Sequence, residues 1–350
     1  MSGQSSQPPG KRATGGCERQ RGQEEQYMAY NERNRWGVIL AGGDGVRLRP
    51  LTRFICGDER PKQFCPLYGG VTLLEQARRR AVRSVPPDQL LFSLNRAHEE
   101  FYLSSLKDCP SQRVVQPSNR GTAPAILSSL LVIAQQDPDA FVAIFPSDHY
   151  YSDEYVLTDA VEKAFDLAQL EPDSLVLVGA RPLGPEEEYG WIETGAPVDG
   201  KLDSFRVAGF IEKPPEEMAR FLLEQGALWN TFVLVGTVLA FVQAICSAMP
   251  GLLKTFHQAP IRRNSNGEMH LSEALYARLN ACDFSRRVLS LEPARLIVHR
   301  LGPVIWSDLG DCDRAASILS RDDSQPAWAK SWRTQRLRPA SVLQSASAVA

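Results

Sequence analysis

Hydrophobic and polar positions fall into alternating blocks along the chain. Five short apolar runs, WGVILA (36–41), LLFSLN (90–95), RVVQP (113–117), AFVAIFP (140–146) and SLVLVGA (174–180), have the length of strands and little polar interruption. A strand that is apolar on both faces must be covered on both faces. Segments between the runs repeat apolar residues at helical spacing: LLEQARRRAVRSV from Leu73, APAILSSLLVIAQQ (123–136) and DEYVLTDAVEKAFDLAQ (153–169). Thr72 and Glu75 form a capping box that opens the first of them. The alternation predicts an α/β fold with a parallel central sheet and helices on both faces, and there is no internal repeat. The longest apolar stretch, FVLVGTVLAFV (232–242), is well short of the roughly 20 residues a bilayer span needs, so it reads as core.

The ends differ from the middle. Residues 1–35 hold almost no aliphatic side chains and cannot bury enough apolar surface to offset the entropy of ordering, which predicts a disordered tail. Residues 322–350 read as a second flexible tail, with Trp328 and Trp332 pointing to partial docking on the folded domain at 36–321. Net charge is −2, so nucleic acid and membrane surfaces are not expected as partners. A phosphate site must then come from a local arrangement of groups. Seven cysteines, at 17, 56, 65, 109, 246, 282 and 312, include no CxxC pair. That pattern suggests neither a disulfide framework nor a zinc cluster, and it fits a reducing cytoplasm. The N-terminus lacks the apolar stretch of a secretory signal.

In a sheet of this kind, ligands bind beyond the C-terminal ends of the strands. LAGGDGVRLRP (40–50) follows the first strand, Gln116 to Pro124 the third, and PSDH (146–149) the fourth, so one edge should gather them. Gly42, Gly43 and Gly45 let the backbone turn and aim its N–H groups at an anion. Arg47 and Arg49 add forked donors, and Lys62 in PKQF adds a point charge. The stretch is neither GxxxxGK[ST] nor GxGxxG, which excludes a P-loop and a dinucleotide fingerprint.

LAGGDGVRLRPLTR followed by PKQF resembles the signature of the sugar-1-phosphate nucleotidyltransferases. PKQF is most like the mannose-1-phosphate guanylyltransferases (GDP-mannose pyrophosphorylases). GTAPAI (121–126), FPSDH (145–149), EYGWIE (188–193), FIEKP (210–214), WN (229–230) and WSDLG (306–310) follow in the matching order. The resemblance implies a Rossmann-like nucleotidyltransferase (GT-A-like) fold with a mixed, mostly parallel sheet. It implies transfer of a nucleotidyl group to a sugar 1-phosphate, with GTP and mannose 1-phosphate as the favoured pair. Arg47 and the loop amides would hold the nucleotide's terminal phosphates, and Lys62 would bridge the two reactants. Asp148, also counted as catalytic, and Asp308 would hold Mg²⁺. Leu40, Ala41, Gly42, Gly43, Gly45, Gln116, Gly121 and Thr122 would meet the nucleotide. Gly190, Glu193, Glu212, Lys213, Asn230 and Thr231 would meet the sugar phosphate.

Two departures stand out. FICGDER (54–60) lengthens the spacer before PKQF and is expected to lie over the site. TFVLVG follows WN where the family has a Ser-Gly pair. No isomerase-like second domain is expected after residue 321, and a homodimer is left open. Other readings are a UTP- or dTTP-dependent enzyme acting on glucose 1-phosphate, a non-catalytic sugar-nucleotide sensor, or a molybdopterin-type transferase. His149 and Trp229 read as structural, Glu186 to Glu188 as a solvated run, and Cys56 and Cys65 as bystanders.

Overall fold

The computed structural model describes residues 34–258, 261–320 and 326–336. Most of the two tails read from the sequence lies outside these residues. The first half of the chain alternates strand and helix: β1 (Arg35–Leu40), α1 (Arg49–Cys56), α2 (Leu73–Ala81), β2 (Leu90–Asn95), α3 (Glu99–Ser105), β3 (Gln112–Gln116), α4 (Thr122–Ala134), β4 (Phe141–Pro146), β5 (Tyr150–Tyr151), α5 (Glu154–Leu170) and β6 (Leu175–Ala180). The second half is richer in strands: β7 (Gly190–Pro197), β8 (Ser204–Glu212), α6 (Glu216–Glu224), β9 (Leu228–Thr237), α7 (Val238–Ala248), α8 (Pro250–His257), β10 (Arg262–Arg263), β11 (Met269–His270), α9 (Glu273–Ala277), β12 (Leu296–Arg300), β13 (Trp306–Ser307), α10 (Cys312–Leu319) and α11 (Ala327–Arg336).

Eleven of these strands form one mixed sheet in the order β10-β11-β3-β2-β1-β4-β9-β6-β12-β8-β7. Strands β3, β2, β1 and β4 are parallel neighbours, as the apolar runs predict. Strand β6 does not lie beside β4. The long β9 enters between them and runs antiparallel to both. The stretch read as buried core, 232–242, thus divides into the end of β9 and the start of α7. Among the described residues no single helix is long and apolar enough to cross a membrane.

Successive residues of each central strand enter different cores. Ile39, Phe92, Val115, Phe145 and Val176 pack under α2 and α5 with Ala77 and Phe165. Val38, Leu91, Val114, Ile144 and Leu175 pack under α4 and α7 with Ile126 and Phe241. Each fully buried Phe or Leu contributes about 1.5–3 kcal/mol, which is why no polar face shows in these runs. A third cluster joins α1, α10 and α11 through Leu51, Leu319 and Trp332. Trp332 stacks edge-on to Phe54 at 5.3 Å, and the Trp328 indole donates to the Leu67 carbonyl at 2.7 Å. The segment 327–336 is therefore a docked helix, with both tryptophans making the docking contacts. The capping box is half realised: the Thr72 hydroxyl accepts from the Glu75 N–H, while the Glu75 carboxylate turns to Arg78 and Arg79.

Candidate active site

The loop after β1 and the PKQF turn are built as one unit. Gly45 has φ +56°, and a Cβ on it would sit 2.8 Å from the Lys62 backbone nitrogen, so only glycine lets the two segments touch. Residues Lys62–Phe64 form a single 3₁₀ turn behind Pro61. From that turn the Gln63 amide donates to the carbonyls of Ala41 at 3.0 Å and Gly43 at 2.8 Å. The adjacent Lys62 is 9% exposed. Its ammonium donates to the carbonyls of Asp308 at 2.6 Å and Leu309 at 3.3 Å, and lies 3.2 Å from Asp148 Oδ2. Three segments distant in sequence therefore meet on one nitrogen.

Above them opens a cavity at the C-terminal ends of β1, β3 and β4. Leu40, Gly42, Gly43, Gln116, Gly121, Thr122, Asp148, Gly190, Glu212, Asn230 and Asp308 line it. The remaining expected residues do not form its lining. Ala41 is buried just behind the loop. Gly45 serves the turn. Arg47 and Lys213 stand at the rim, both on the Glu188 carboxylate, at 2.8 and 3.3 Å. Two expected sugar contacts are displaced. Thr231 is fully buried and donates its hydroxyl to the Val178 carbonyl at 2.6 Å, because the residue after Asn230 on β9 faces the neighbouring β6. The Glu193 carboxylate lies over Gly209 on β8 instead of over the cavity. The insertion 54–60 does not cover the cavity either. It finishes α1 and turns through an Asp58–Arg60 pair.

Several lining residues escaped the sequence reading: Ser93, Asn119, Glu188, Tyr189, Phe232, Asp283 and Ser285. Glu187 and Glu188 are exposed, as a solvated run should be, but Glu188 also anchors the two cations Arg47 and Lys213. Asp283 arrives from the segment before a short π-helix, Ser285–Leu289. That segment is stapled across the start of α4. Phe284 N donates to the Thr122 hydroxyl at 2.7 Å, Ala123 N to the Cys282 carbonyl at 3.1 Å, and Cys282 N to the Arg120 carbonyl at 2.9 Å. Gly121 has φ +83°, and a Cβ there would lie 2.8 Å from the Cys282 carbonyl carbon. The glycine is thus demanded by this crossing, in addition to any approach of a nucleobase.

The family described as Nucleotidyl transferase matches residues 36–323. The chain belongs to that family. A mannose-1-phosphate guanylyltransferase, ManC, of Salmonella typhimurium is 31% identical over 240 residues, 66% of this chain and 48% of its own length. Another, of Klebsiella pneumoniae, is 29% identical over 291 residues, 82% of this chain and 60% of its own. The chain therefore spans about half the length of the first of these relatives. The crystal structure of a mannose-1-phosphate geranyltransferase from Thermus thermophilus is similar with a TM-score of 0.71 and 28% identity, covering 83% of this chain and 80% of that one.

Within this nucleotidyl transferase, charge is arranged around the cavity floor. Burial alone would raise Asp308, but the Lys62 ammonium and the Arg314 guanidinium outweigh it and hold the carboxyl below its usual range. Asp308 Oδ1 accepts from the Tyr189 hydroxyl at 3.1 Å and from Arg314 at 3.1 Å. His149 goes the other way, with burial pulling it down to about 4 against the pull of Asp148 and Asp308. The Trp306 indole, which only donates, approaches His149 Nδ1 at 3.3 Å, so the neutral ring keeps its proton on Nε2. His149 is thereby a fixed wall group, and Trp229, packed among Tyr189, Trp191 and Trp306, is another. Asp148 caps no helix, since Asp153 performs that task for α5. Among the described residues no three His, Cys, Asp or Glu side chains group as a metal cage. Two carboxylates facing one cleft fit an ion that takes the rest of its oxygen shell from phosphates and water, as Mg²⁺ does.

Glu212 is the exception among the acids. Burial, with the nearby Asp283 carboxylate adding to it, raises its carboxyl to about 7, against the opposing charges of Lys213 and Arg286.

Proposed function

We propose that this protein transfers the guanylyl group of GTP to mannose 1-phosphate, giving GDP-mannose and pyrophosphate, with Mg²⁺ as cofactor. The observation that carries the reading is the buried ammonium of Lys62, which the PKQF turn holds against Asp148 and the Asp308–Leu309 backbone. An oxygen of the sugar phosphate attacks the α-phosphorus in line. The bond to the bridging oxygen breaks, and pyrophosphate leaves with its electron pair. The attacking oxygen is already anionic, so no general base is required. The difficulty is repulsion between two anions, which fixed cations around the cleft relieve.

Lys62 faces both phosphates in this reading. Arg47 exchanges Glu188 for the nucleotide's terminal phosphates, and Lys213 exchanges the same carboxylate for the sugar phosphate. Asp148 and Asp308 hold Mg²⁺, which when bound neutralises phosphate charge and orients the leaving group. The Gly42–Gly43 backbone and Gln116 meet the base. Gln116 is fixed for this by donating to the Ser93 hydroxyl at 3.0 Å and accepting from Tyr276 at 3.1 Å. Asn230 and Glu212 meet sugar hydroxyls. The similar guanylyltransferases support GTP and mannose over other pairs. A reducing cytoplasm suits the free thiols at the six described cysteines.

The test is pyrophosphate release across a panel of GTP, ATP, UTP and dTTP with mannose or glucose 1-phosphate, with and without Mg²⁺. GTP with mannose 1-phosphate should give the highest kcat/KM. A preference for UTP or dTTP with glucose 1-phosphate replaces the assignment, and no release with any pair removes it.

A further inference from the structure

Two cysteines stand beside the Lys62 turn and take no part in the chemistry above. Cys56 is the last residue of α1. Cys65 follows the 3₁₀ turn and donates its N–H to the Lys62 carbonyl at 3.0 Å. Their sulfurs are 3.3 Å apart. Other described cysteines have different neighbours: Cys109 meets the Ser111 hydroxyl and Cys282 the Met249 thioether.

We propose that Cys56 and Cys65 are a redox-modification site, a dithiol that closes into an intramolecular disulfide by exchange with a low-molecular-weight disulfide. Cys56 is half-buried and reachable from solvent, whereas Cys65 is fully buried. Gly57, at φ +82°, turns the chain back between them. The Arg60 guanidinium, clamped on Asp58 at 2.6 and 2.7 Å, reaches the Phe64 carbonyl at 3.5 Å and brings positive charge next to the pair. Burial pushes the Cys65 thiol well up, so it is the slower nucleophile.

The order of steps follows. The Cys56 thiolate attacks one sulfur of the small disulfide, whose S–S bond breaks, and one small thiolate leaves and takes up a proton. Cys65 then loses its proton to solvent and attacks Cys56 Sγ, expelling the second small thiolate, which is protonated in turn. Two protein thiols are oxidised and one small disulfide is reduced to two thiols, so no further oxidant is needed. The sulfurs draw in from 3.3 Å to about 2.05 Å, and the pull acts on the residue bonded to the Lys62 backbone.

The full chain is incubated with glutathione disulfide, its remaining thiols are trapped with iodoacetamide, and its peptides are mapped. The expected result is a Cys56–Cys65 cross-linked peptide, absent after dithiothreitol and absent from Cys56→Ser, a near-isosteric change at a half-buried position. Both thiols still alkylated, or Cys56 held only as a mixed disulfide with glutathione, overturns the proposal. Pyrophosphate release on the same samples should fall at least about tenfold on oxidation and return on reduction, because displacement of about 1 Å at a reacting group costs that much or more. Unchanged release from fully cross-linked protein overturns the coupling to Lys62. The peptide readout does not depend on the function proposed above, so the two can fail separately.

Discussion

Lys62 Nζ stands 3.2 Å from Asp148 Oδ2 while donating to the Asp308 carbonyl at 2.6 Å. The ammonium is thereby the point at which the PKQF turn, the end of β4 and the WSDLG segment are held together. A buried cation tied to two carbonyls and one carboxylate is well satisfied, and its charge is screened little by solvent.

Replacing Lys62 with alanine should therefore lower kcat about 10²–10³-fold, the range for losing one preorganised charge-stabilising donor. Lys62→Arg should not rescue it, since a planar fork cannot take the place of a compact ammonium between two carbonyls. Steady-state pyrophosphate release with both variants checks this, and a Lys62→Ala protein within about threefold of wild type would remove Lys62 from the chemistry.

Gln63 offers a cleaner test of the loop. Its amide bonds to Ala41 and Gly43 hold the glycine loop from the cavity wall. Gln63→Ala forfeits two hydrogen bonds of about 1 kcal/mol each. KM for the nucleotide should rise about tenfold, with a smaller change in kcat. A pure kcat effect would show that the loop is held by other means.

Much of this was legible in the letters, and the failures have physical causes. The strands β1 to β4 declared themselves because a run buried on both faces needs no polar positions. The insertion of β9 between β4 and β6 did not, since an apolar run carries no sign of its direction. Gly42 and Asp148, singled out by motif, line the cavity because the loops after β1 and β4 leave the same edge of the sheet, and Asp308 joins them from the loop after β13. Motif matching failed for Thr231 and Glu193, whose side depends on a pleat with period two and on the bulges in β6–β9 and β7–β8. Asp283 sits in no motif, and only the crossing over Gly121 brings it to the cavity.

The metal reading predicts that chelation abolishes pyrophosphate release and that added Mg²⁺ restores it. Asp148→Ala removes one of two carboxylates facing the ion, so its turnover should fall about 10²–10³-fold. A Mg²⁺ titration of the variant should saturate at higher concentration. Near wild-type turnover at the original Mg²⁺ concentration would reassign that carboxylate to holding Lys62 alone.

Glu212 gives a pH dependence with a definite sign. Its carboxyl is raised to about 7 by burial and Asp283. Below that pH it is protonated and a poor acceptor for sugar hydroxyls, so kcat/KM for the sugar phosphate should rise with pH through about 7. The same group contributes stability that is full below its unfolded value and lost as pH rises through the folded one. Asp283→Asn removes the like charge and should move the kinetic limb to lower pH. A limb that stays in place would show that Asp283 does not act on Glu212.

Gly121→Ala separates architecture from chemistry. The new Cβ meets the Cys282 carbonyl group, and the backbone there is at φ +83°. Alanine is strained by about 1–2 kcal/mol in that region before any clash is counted. Either α4 or the 282–284 segment must give way, and both carry cavity residues. The bonds from Phe284 to Thr122 and from Ala123 to Cys282 then weaken together. Thermal unfolding should show a lower midpoint, and Asp283 should retreat from the cavity. The variant is accordingly expected to lose affinity for both substrates, because Thr122 and Asp283 move as one piece. A variant with a wild-type midpoint and a raised KM for the nucleotide alone would mean that the glycine serves the nucleobase and that the Cys282 crossing yields without cost.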